Sequence, residues 1–278
     1  MIEMATFDVA FDQAIAKAAP VSAQTAAKAH AARKPLEEAF EAVEHFEYDP
    51  TRLVITASVA GEQYRTLKTN LMRLKEMEGV GSFVFTSSMK NEGKTTVVVN
   101  TARAFAWERD IKVAVVDCDF KRPGIAAICK AEGKAGFEEV MAGTAGLAEC
   151  GVYSKRDNFV VFTIKSAAAE TEEILKSADV ERVVGQLESL FDVILFDTSP
   201  VLSTTEPLVL GTRAGGVVLV VRANSTQRES VLYAQGQLEQ AGCRLLGLVL
   251  NVRPSYVPGF LWLRKYDYFQ DTYGRGSR

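Results

Sequence analysis

Six short apolar runs, rich in Val, Ile, Leu and Phe, recur between residues 51 and 253 and constrain the fold more than any other feature. In chain order they read SFVFTS, KVAVVDCD, NFVVFTI, FDVILFDT, GVVLVVRA and LLGLVLNV. Continuous rather than alternating apolar residues are typical of strands buried on both faces of a parallel sheet. Helices are predicted between them, at Thr95 to Arg109, Ala169 to Leu190 and Gln227 to Ala241. The pattern therefore predicts an α/β fold, a doubly wound, mostly parallel sheet flanked by helices, with ligands at the carboxyl ends of the strands.

The composition limits the class of protein. Of 278 residues, 47% are hydrophobic and 24% charged, so the chain can bury a sizeable core. The net charge of −3 gives no argument for nucleic-acid binding, and we expect none. The four cysteines lack C-x-x-C spacing, which argues against a zinc site or a disulfide framework and favours a cytoplasmic location. We expect no membrane-spanning segment, because no apolar stretch approaches about 18 residues, and no signal peptide, because the N-terminus is acidic.

Three regions differ in their residue pattern. Residues 1–50 are rich in Ala, Lys and Glu without a clean apolar stripe, so we predict a flexible N-terminal arm with short helices. Residues 51–253 carry the six runs and form the predicted α/β domain. Residues 254–278 are aromatic and basic and contain tyrosines, and they are predicted to be an accessory tail.

The loop SSMKNEGKTT follows the first run and precedes a helix-like segment. Backbone N–H groups at a helix start bind phosphate, a lysine there contacts the β- and γ-phosphates, and the next Ser or Thr hydroxyl binds Mg²⁺. The strict phosphate-loop pattern has a glycine where this chain has Ser88, so this loop alone leaves a plain Gly-Lys-Thr helix start as the alternative. The residues predicted to bind nucleotide are Ser88, Asn91, Glu92, Gly93, Lys94, Thr95 and Thr96.

Carboxylates follow two other apolar runs. VAVVDCDFKRP places Asp117 and Asp119 at a strand end, with alternate side chains on the same side, and FDVILFDTSP places Asp197 at another. Burying carboxylates at a strand end is energetically unfavourable unless a cation binds them or they accept hydrogen bonds. The alternative to a binding site is a solvated turn that caps the strand. One phosphate loop and two acidic strand ends on the same edge of a sheet predict a site for Mg²⁺ and a nucleoside triphosphate.

Together these segments resemble the cytoplasmic ATPase domain of the bacterial tyrosine kinases (BY-kinases) that control capsule and exopolysaccharide chain length. That family is a branch of the Min/Par-like deviant Walker ATPases, with P-loop NTPase architecture. The similar motifs are the Walker A loop SSMKNEGKTT, the Walker A′ segment VVDCDFKRP and the Walker B segment ILFDTSPVL. A fourth, GEQYRTLKTNLMRL at Gly61 to Leu74, resembles the helix that packs one ring subunit on the next. The resemblance spans roughly Arg52 to Arg253.

The resemblance implies ATP and Mg²⁺ as cofactors and gives the site residues their roles. Lys94, Asp117 and Asp119 are implied as catalytic, with Lys94 on the phosphates and Asp117 as the base toward a tyrosine hydroxyl. Thr95, Asp117 and Asp197 are implied as the surroundings of Mg²⁺, where Asp119 helps to hold the metal or its waters.

Further roles concern residues outside these motifs. Asn251 is implied as a contact to the adenine edge. The implied subunit interface consists of Glu62, Arg65 and Lys68, and their spacing also fits a solvated row of ion pairs. The candidate phosphate acceptors are Tyr256, Tyr266, Tyr268 and Tyr273. Lys68 and Lys121 replace arginines of the family motifs, which keeps the charge but loses the bidentate geometry.

The function that the resemblance implies is an ATP- and Mg²⁺-dependent protein-tyrosine autokinase that regulates exopolysaccharide or capsule polymerisation and export. It also implies a ring-like homo-oligomer and a transmembrane polysaccharide co-polymerase adaptor that recruits the cytoplasmic protein to the inner face of the membrane. Two alternatives stay open, a non-kinase regulatory ATPase of the Min/Par type and a nucleotide-sensing scaffold without turnover. Met89 stands where partition ATPases carry a signature lysine, which argues against the first alternative.

Overall fold

The computed structural model describes residues 35–54, 58–167 and 180–252. Nine helices and eight strands occur in these ranges, and they follow one another along the chain. The helices are α1 Leu36–Ala39, α2 Val59–Glu78, α3 Lys94–Ala104, α4 Ile125–Cys129, α5 Phe137–Met141, α6 Leu147–Cys150, α7 Val180–Leu190, α8 Glu206–Gly211 and α9 Arg228–Gln240. The strands are β1 Glu41–Val43, β2 Ser82–Ser87, β3 Val113–Cys118, β4 Gly151–Ser154, β5 Phe159–Phe162, β6 Val193–Thr198, β7 Gly216–Arg222 and β8 Leu245–Asn251.

All eight strands form one sheet, in the order β1-β4-β5-β3-β6-β2-β7-β8. Neighbouring strands are parallel except for the antiparallel pair β4 and β5. The six mutually parallel strands are the six apolar runs, so the predicted α/β class and mostly parallel sheet are confirmed. Every residue of β2, β3 and β6 is buried, as continuous apolar runs require.

Helices cover both faces of the sheet. Successive residues of β2 alternate between the two cores, because Phe83 and Phe85 pack on one face and Val84 on the other. The first core takes the buried side of α2, whose apolar residues recur at helical spacing: Tyr64, Leu67, Leu71 and Leu74. The second core takes residues from α5, α7 and α9. This two-layer burial leaves the carboxyl ends of the parallel strands as the place where loops can form a site.

Helix boundaries agree with the predictions only in part. The helix predicted from Thr95 runs from Lys94 to Ala104, and turns replace its last residues. Helix α9 matches the predicted Gln227 to Ala241 within one residue at each end. Helix α7 is the part of the predicted Ala169 to Leu190 segment that begins at Val180, since residues 168–179 lie outside the described ranges.

The predicted N-terminal arm overlaps the folded domain. Within residues 35–50, β1 pairs with β4, and Phe40 and Phe46 are buried. Phe46 packs on Phe159 with ring centroids 5.3 Å apart. The fold therefore begins before the boundary predicted at residue 50. A strand of three residues has too few side chains to show a period, which is why the sequence pattern missed β1.

Two predicted regions lie outside the described ranges. These are residues 1–34 of the arm and the tail, with its tyrosines Tyr256, Tyr266, Tyr268 and Tyr273. Within the described ranges, no helix has the length and apolar character needed to cross a membrane.

The early start of the fold predicts that Phe40→Ala lowers the free energy of unfolding by about 3–4 kcal/mol. The Phe40 ring packs against Phe162 and Phe191, each with a centroid distance of 5.6 Å, so truncation leaves a cavity. Denaturant unfolding measures the loss. Glu41→Ala, at an exposed neighbouring position, is the control and should change stability by less than about 0.5 kcal/mol. Equal stabilities for the two variants would mean that this segment does not pack on the domain.

Candidate active site

The loop between β2 and α3 has the backbone shape of a phosphate cradle. Asn91 and Gly93 both have positive φ, 63° and 91°. Asparagine tolerates this conformation better than most residues, which explains Asn91 in the loop. At Gly93 a Cβ would lie 2.1 Å from Nδ2 of Asn251, so only glycine fits there. Lys94, Thr95 and Thr96 then open α3, whose N-terminal N–H groups point into the loop.

A cavity of about 530 Å³ lies at this edge of the sheet. Its walls come from the β2–α3 loop, from the segment after β3 and from the segment after β6. Five basic side chains line it: Arg52, Lys90, Lys94, Lys121 and Arg122. Asp119 is the one carboxylate among the lining residues within the described chain. This excess of positive charge in a concave site favours a polyanion such as the phosphates of a nucleotide.

Two carboxylates lie side by side under the cavity. Asp117 of β3 and Asp197 of β6 are register partners on neighbouring parallel strands, and both are fully buried. Burial, followed by the charge of Asp197, raises the pKa of Asp117 well above its usual value. Burial also raises the pKa of Asp197, against the opposing charge of Lys94. Two buried carboxylates held together make a site that gains stability when a cation arrives.

The three carboxylates differ in their hydrogen bonds. Asp117 accepts three backbone N–H groups, from Asp119 at 3.2 Å and from Gly124 and Ile125 at 2.9 Å. Asp119 accepts the Ser199 hydroxyl at 2.7 Å and lines the cavity. Asp197 accepts no backbone N–H group among the described residues, and only the adjacent Thr95 hydroxyl and the charge of Lys94 favour its ionised form.

These differences refine the predicted roles of the acidic residues. Asp117 does not line the cavity, and its oxygens hold the backbone of the segment after β3 in place. The predicted placement of Asp117 and Asp119 on the same side of the strand end does not make both line the cavity. The backbone leaves the strand after Cys118, so only Asp119 reaches the ligand space. The base role of Asp117 stays a prediction, and the geometry favours Asp119 for direct contact.

The residues present fit a magnesium ion that arrives with phosphate. The carboxylates of Asp119 and Asp197 and the Thr95 hydroxyl are oxygen ligands of the kind that Mg²⁺ prefers. Asp197 does not line the cavity itself, but it interacts with Lys94 and Thr95, which do. Thr95 Oγ1 lies close to Gly124 in the segment after β3: a Cβ atom added to Gly124 would be 3.1 Å from it. No group of three or more His, Cys, Asp and Glu side chains forms a metal cage in the described ranges. Mg²⁺ in nucleotide sites commonly takes one or two carboxylates and completes its shell with phosphates and waters.

The side chains of two residues predicted to bind nucleotide support the loop from within. Glu92 is 2% exposed and accepts the Ser88 hydroxyl at 3.1 Å, the Met89 N–H at 2.8 Å and the Thr226 hydroxyl. Ser88 is fully buried, and neither Ser88 nor Glu92 lines the cavity. Ser88 occupies the glycine position of the strict pattern, and its hydroxyl donates a hydrogen bond to the Glu92 carboxylate. Their side chains therefore face the interior, and a contact of their backbone groups with the nucleotide stays a prediction.

The ends of β7 and β8 complete this support. Arg222 donates to the Asn91 carbonyl at 3.2 Å, and Asn251 Nδ2 donates to the Glu92 carbonyl at 2.9 Å. The Asn251 side chain also accepts the N–H of Val252, so both of its polar atoms are engaged within the chain, and the predicted adenine contact stays untested. Sequence analysis missed Arg222 and Thr226, because the contact to Glu92 spans 134 positions and no local pattern marks it.

The three residues of the predicted subunit interface lie on α2. Glu62 and Arg65 pair with each other on the exposed side of the helix. Lys68 instead donates to Glu108 at 2.5 Å, and its side chain is only 16% exposed. Lys68 thus connects α2 to the turn after α3, and its role between subunits stays a prediction.

A family model described as an AAA domain matches residues 89–231. The chain belongs to this AAA domain family. It is 28% identical over 194 residues to the tyrosine-protein kinase YwqD of Bacillus subtilis, covering 70% of this chain and 81% of that protein. This similarity confirms the resemblance to bacterial tyrosine kinases.

Solved structures show the same fold. The kinase domain of Escherichia coli tyrosine kinase ETK superimposes with a TM-score of 0.67 at 23% identity, covering 78% of this chain and 92% of that one. The septum site-determining protein MinD of Pyrococcus horikoshii, solved with Mg-ADP, gives 0.50 at 21% identity, covering 61% of this chain and 69% of that one. The predicted P-loop NTPase architecture is confirmed.

The buried acidic pair predicts a pH-dependent effect of Asp197→Asn in metal-free, nucleotide-free buffer. The pKa of Asp197 is higher in the folded protein than in the unfolded chain. The contribution of Asp197 to the free energy of unfolding is therefore highest at low pH, where Asp197 is protonated in both states, and it falls as pH rises toward the folded-state pKa. Wild type should therefore lose more stability than Asp197→Asn between about pH 4 and pH 7, and the variant should melt at the higher temperature at the upper pH. Calorimetry across this range measures both curves. Parallel curves would show that Asp197 does not titrate in the folded protein.

The support of the phosphate loop predicts that Thr226→Val weakens nucleotide binding without touching the cavity. The Thr226 hydroxyl donates to buried Glu92 and accepts the Arg222 N–H at 3.2 Å, and valine offers neither bond. A hydrogen bond to a charged group contributes about 1.5–3 kcal/mol, so we expect roughly a tenfold or greater rise in Kd for ADP. Titration with a fluorescent ADP analogue measures it. Thr226→Ser, which keeps the hydroxyl, should bind like wild type, and equal affinities for Val and Ser would remove the role of this contact.

Proposed function

We propose that this protein is an ATP- and Mg²⁺-dependent protein-tyrosine autokinase that regulates exopolysaccharide or capsule polymerisation and export. The observation that carries the proposal is the basic cavity over the Asp117–Asp197 pair, in a chain similar over most of its length to a tyrosine-protein kinase. A bare phosphate loop would fit many nucleotide-binding proteins. This chain adds acidic residues at the ends of two strands, β3 and β6, and it is similar to a tyrosine-protein kinase. Together these features favour phosphoryl transfer over nucleotide binding alone.

The reaction requires little covalent chemistry from the protein. A tyrosine oxygen forms a bond to the γ-phosphorus, the bond from that phosphorus to the bridging oxygen breaks, and ADP leaves. Lys94 and the backbone N–H groups at the start of α3 hold the phosphates, so catalysis is mainly positioning and charge neutralisation. Thr95 and Asp197 would hold Mg²⁺, which supplies charge neutralisation at the phosphates. The acceptor proton passes to a carboxylate, and Asp119 is the one placed at the cavity.

The acceptors in this proposal are the tail tyrosines, namely Tyr256, Tyr266, Tyr268 and Tyr273. About twenty residues of extended chain reach up to roughly 60–70 Å, which is enough to cross a neighbouring subunit. Glu62 and Arg65 lie on the exposed side of α2, where a second copy could contact them. We therefore propose that tails are delivered to a neighbour in a homo-oligomer, and that a transmembrane co-polymerase adaptor brings this assembly to the inner face of the cytoplasmic membrane.

The proposal predicts that Lys94→Met abolishes both ADP release and phosphotyrosine formation. The substitution removes a positive charge that faces the phosphates, and the methionine keeps much of the side-chain volume. Melting temperature should stay close to that of wild type. Lys134→Met, at an exposed position outside the cavity, is the control and should retain full activity. Normal turnover by a folded Lys94→Met protein would remove the nucleotide assignment.

Delivery between subunits predicts transfer in a mixture of two defective chains. One carries Lys94→Met and an intact tail, and the other is active but has Phe in place of the four tail tyrosines. Mass spectrometry after incubation with Mg²⁺ and ATP should find phosphotyrosine on the Lys94→Met chain. If that tail stays unmodified while wild type modifies itself, transfer occurs within one chain.

A further inference from the structure

A second cavity, of about 340 Å³, lies at the edge of the sheet opposite to the nucleotide cavity. Helix α3 begins in the nucleotide cavity and extends about 16 Å before the chain reaches Trp107 at this opposite edge. The turn between β4 and β5 supplies the facing wall. The lining side chains are Arg103, Ala106, Trp107, Arg109, Arg156 and Asp157. None of them takes part in the site described above.

Trp107 is unusual because 79% of its surface is exposed. A large aromatic ring in water is costly, and exposed tryptophans are enriched where proteins bind partners. The ring stands between two hollows, because a smaller adjoining cavity shares Trp107 and Arg103 and also contacts Tyr64 and Arg65. The indole therefore has open space beside it in which another planar group could stack.

Three guanidinium groups line this cavity against a single carboxylate, that of Asp157. Within the described chain, Arg103, Arg109 and Arg156 form no salt bridge. Arg103 is held by the Val54 carbonyl at 3.0 Å and by the Tyr48 ring, 5.1 Å from its centroid. Arg109 donates to the Lys155 carbonyl at 3.0 Å. The backbone thus positions two of the three groups and leaves further N–H donors for a ligand.

The carboxylate of Asp157 offsets only one of the three positive charges that line the cavity. One of its oxygens accepts the Ser154 hydroxyl at 2.5 Å and the Phe46 N–H at 3.2 Å. Those contacts fix the turn between β4 and β5 on the domain. The cavity therefore keeps an excess of positive charge beside an exposed indole.

We propose that this cavity is a phosphotyrosine-binding site and that its occupant is the phosphorylated C-terminal segment of this chain. The geometry suits an aryl phosphate, since arginines make charge-assisted hydrogen bonds to the dianion and the indole stacks on the phenyl ring. The segment after Val252 has 26 residues and four tyrosines, which is long enough to reach the opposite edge of the sheet of its own or a neighbouring subunit. The proposal rests on the proposed function, which supplies the phosphotyrosine.

Occupancy of this cavity would also act on the predicted subunit interface. Arg65, which pairs with Glu62 on α2, lines the adjoining hollow next to Trp107. A phosphate bound beside Arg103 competes with Glu62 for nearby positive charge. Phosphorylated tails would thereby loosen contacts made through the start of α2, so that product formation feeds back on assembly.

Binding is tested with full-length protein that carries Trp262→Phe, which leaves Trp107 as the single tryptophan. The protein is first treated with a tyrosine phosphatase and then titrated with a synthetic peptide of residues 264–271 phosphorylated at Tyr266. The peptide lacks tryptophan, so a saturable change in emission reports on Trp107. We expect saturation with the phosphopeptide and none with the unphosphorylated peptide. Because the peptide is synthetic, the result does not depend on kinase activity.

Substitutions locate the site. Arg156→Gln should raise the Kd about tenfold, because a charge-assisted hydrogen bond is lost, while Arg213→Gln, at an exposed position elsewhere, should leave it unchanged. Calorimetry on Trp107→Ala should show a several-fold weaker complex. Equal affinity for inorganic phosphate and phosphopeptide would overturn the proposal, and so would equal affinity for ADP. No saturation, or equal effects of Arg156→Gln and Arg213→Gln, would overturn it as well, whether or not the protein proves to be a kinase.

Discussion

The pairing of β3 with β6 places Asp117 directly beside Asp197, and the candidate site depends on this register. Two buried carboxylates on neighbouring strands repel each other and lack water, so the pair is unfavourable in the folded protein unless something compensates it. Three backbone N–H groups compensate Asp117, and they come from the segment that carries Asp119 to the cavity. Asp197 has no backbone N–H support, and only the nearby charge of Lys94 and the Thr95 hydroxyl favour its ionised form. A bound cation would stabilise the ionised Asp197 carboxylate further.

The phosphate loop is rigid because its inner side is hydrogen-bonded to distant elements. Glu92 connects the loop to Thr226, Arg222 holds the Asn91 carbonyl, and Asn251 packs against Gly93. These contacts bring the ends of β7 and β8 to the loop. A cradle fixed in this way binds phosphate with little ordering cost, which is the form of preorganisation that phosphoryl transfer uses.

The sequence was informative where structure follows a local period or a short motif. The six parallel strands, α9 and the loop from Asn91 to Thr96 could be predicted, because continuous apolar runs and a Gly-Lys-Thr helix start depend on neighbouring residues. The inward roles of Ser88 and Glu92 could not be predicted, because they depend on Thr226 far along the chain. Strand β4 was missed because four residues between a short helix and a turn carry no distinct pattern. Similarly, only the path of the backbone after Cys118 separates Asp119 from Asp117.

The central claim is that the basic cavity transfers phosphate from ATP to tyrosine rather than to water alone. Mass spectrometry of the purified, phosphatase-treated protein after incubation with Mg²⁺ and ATP, together with its membrane adaptor if the isolated chain is inactive, tests this most directly. The account predicts phosphotyrosine in the segment after Val252, formed together with ADP. ADP release with no phosphotyrosine under either condition would contradict it and would leave a regulatory ATPase in its place.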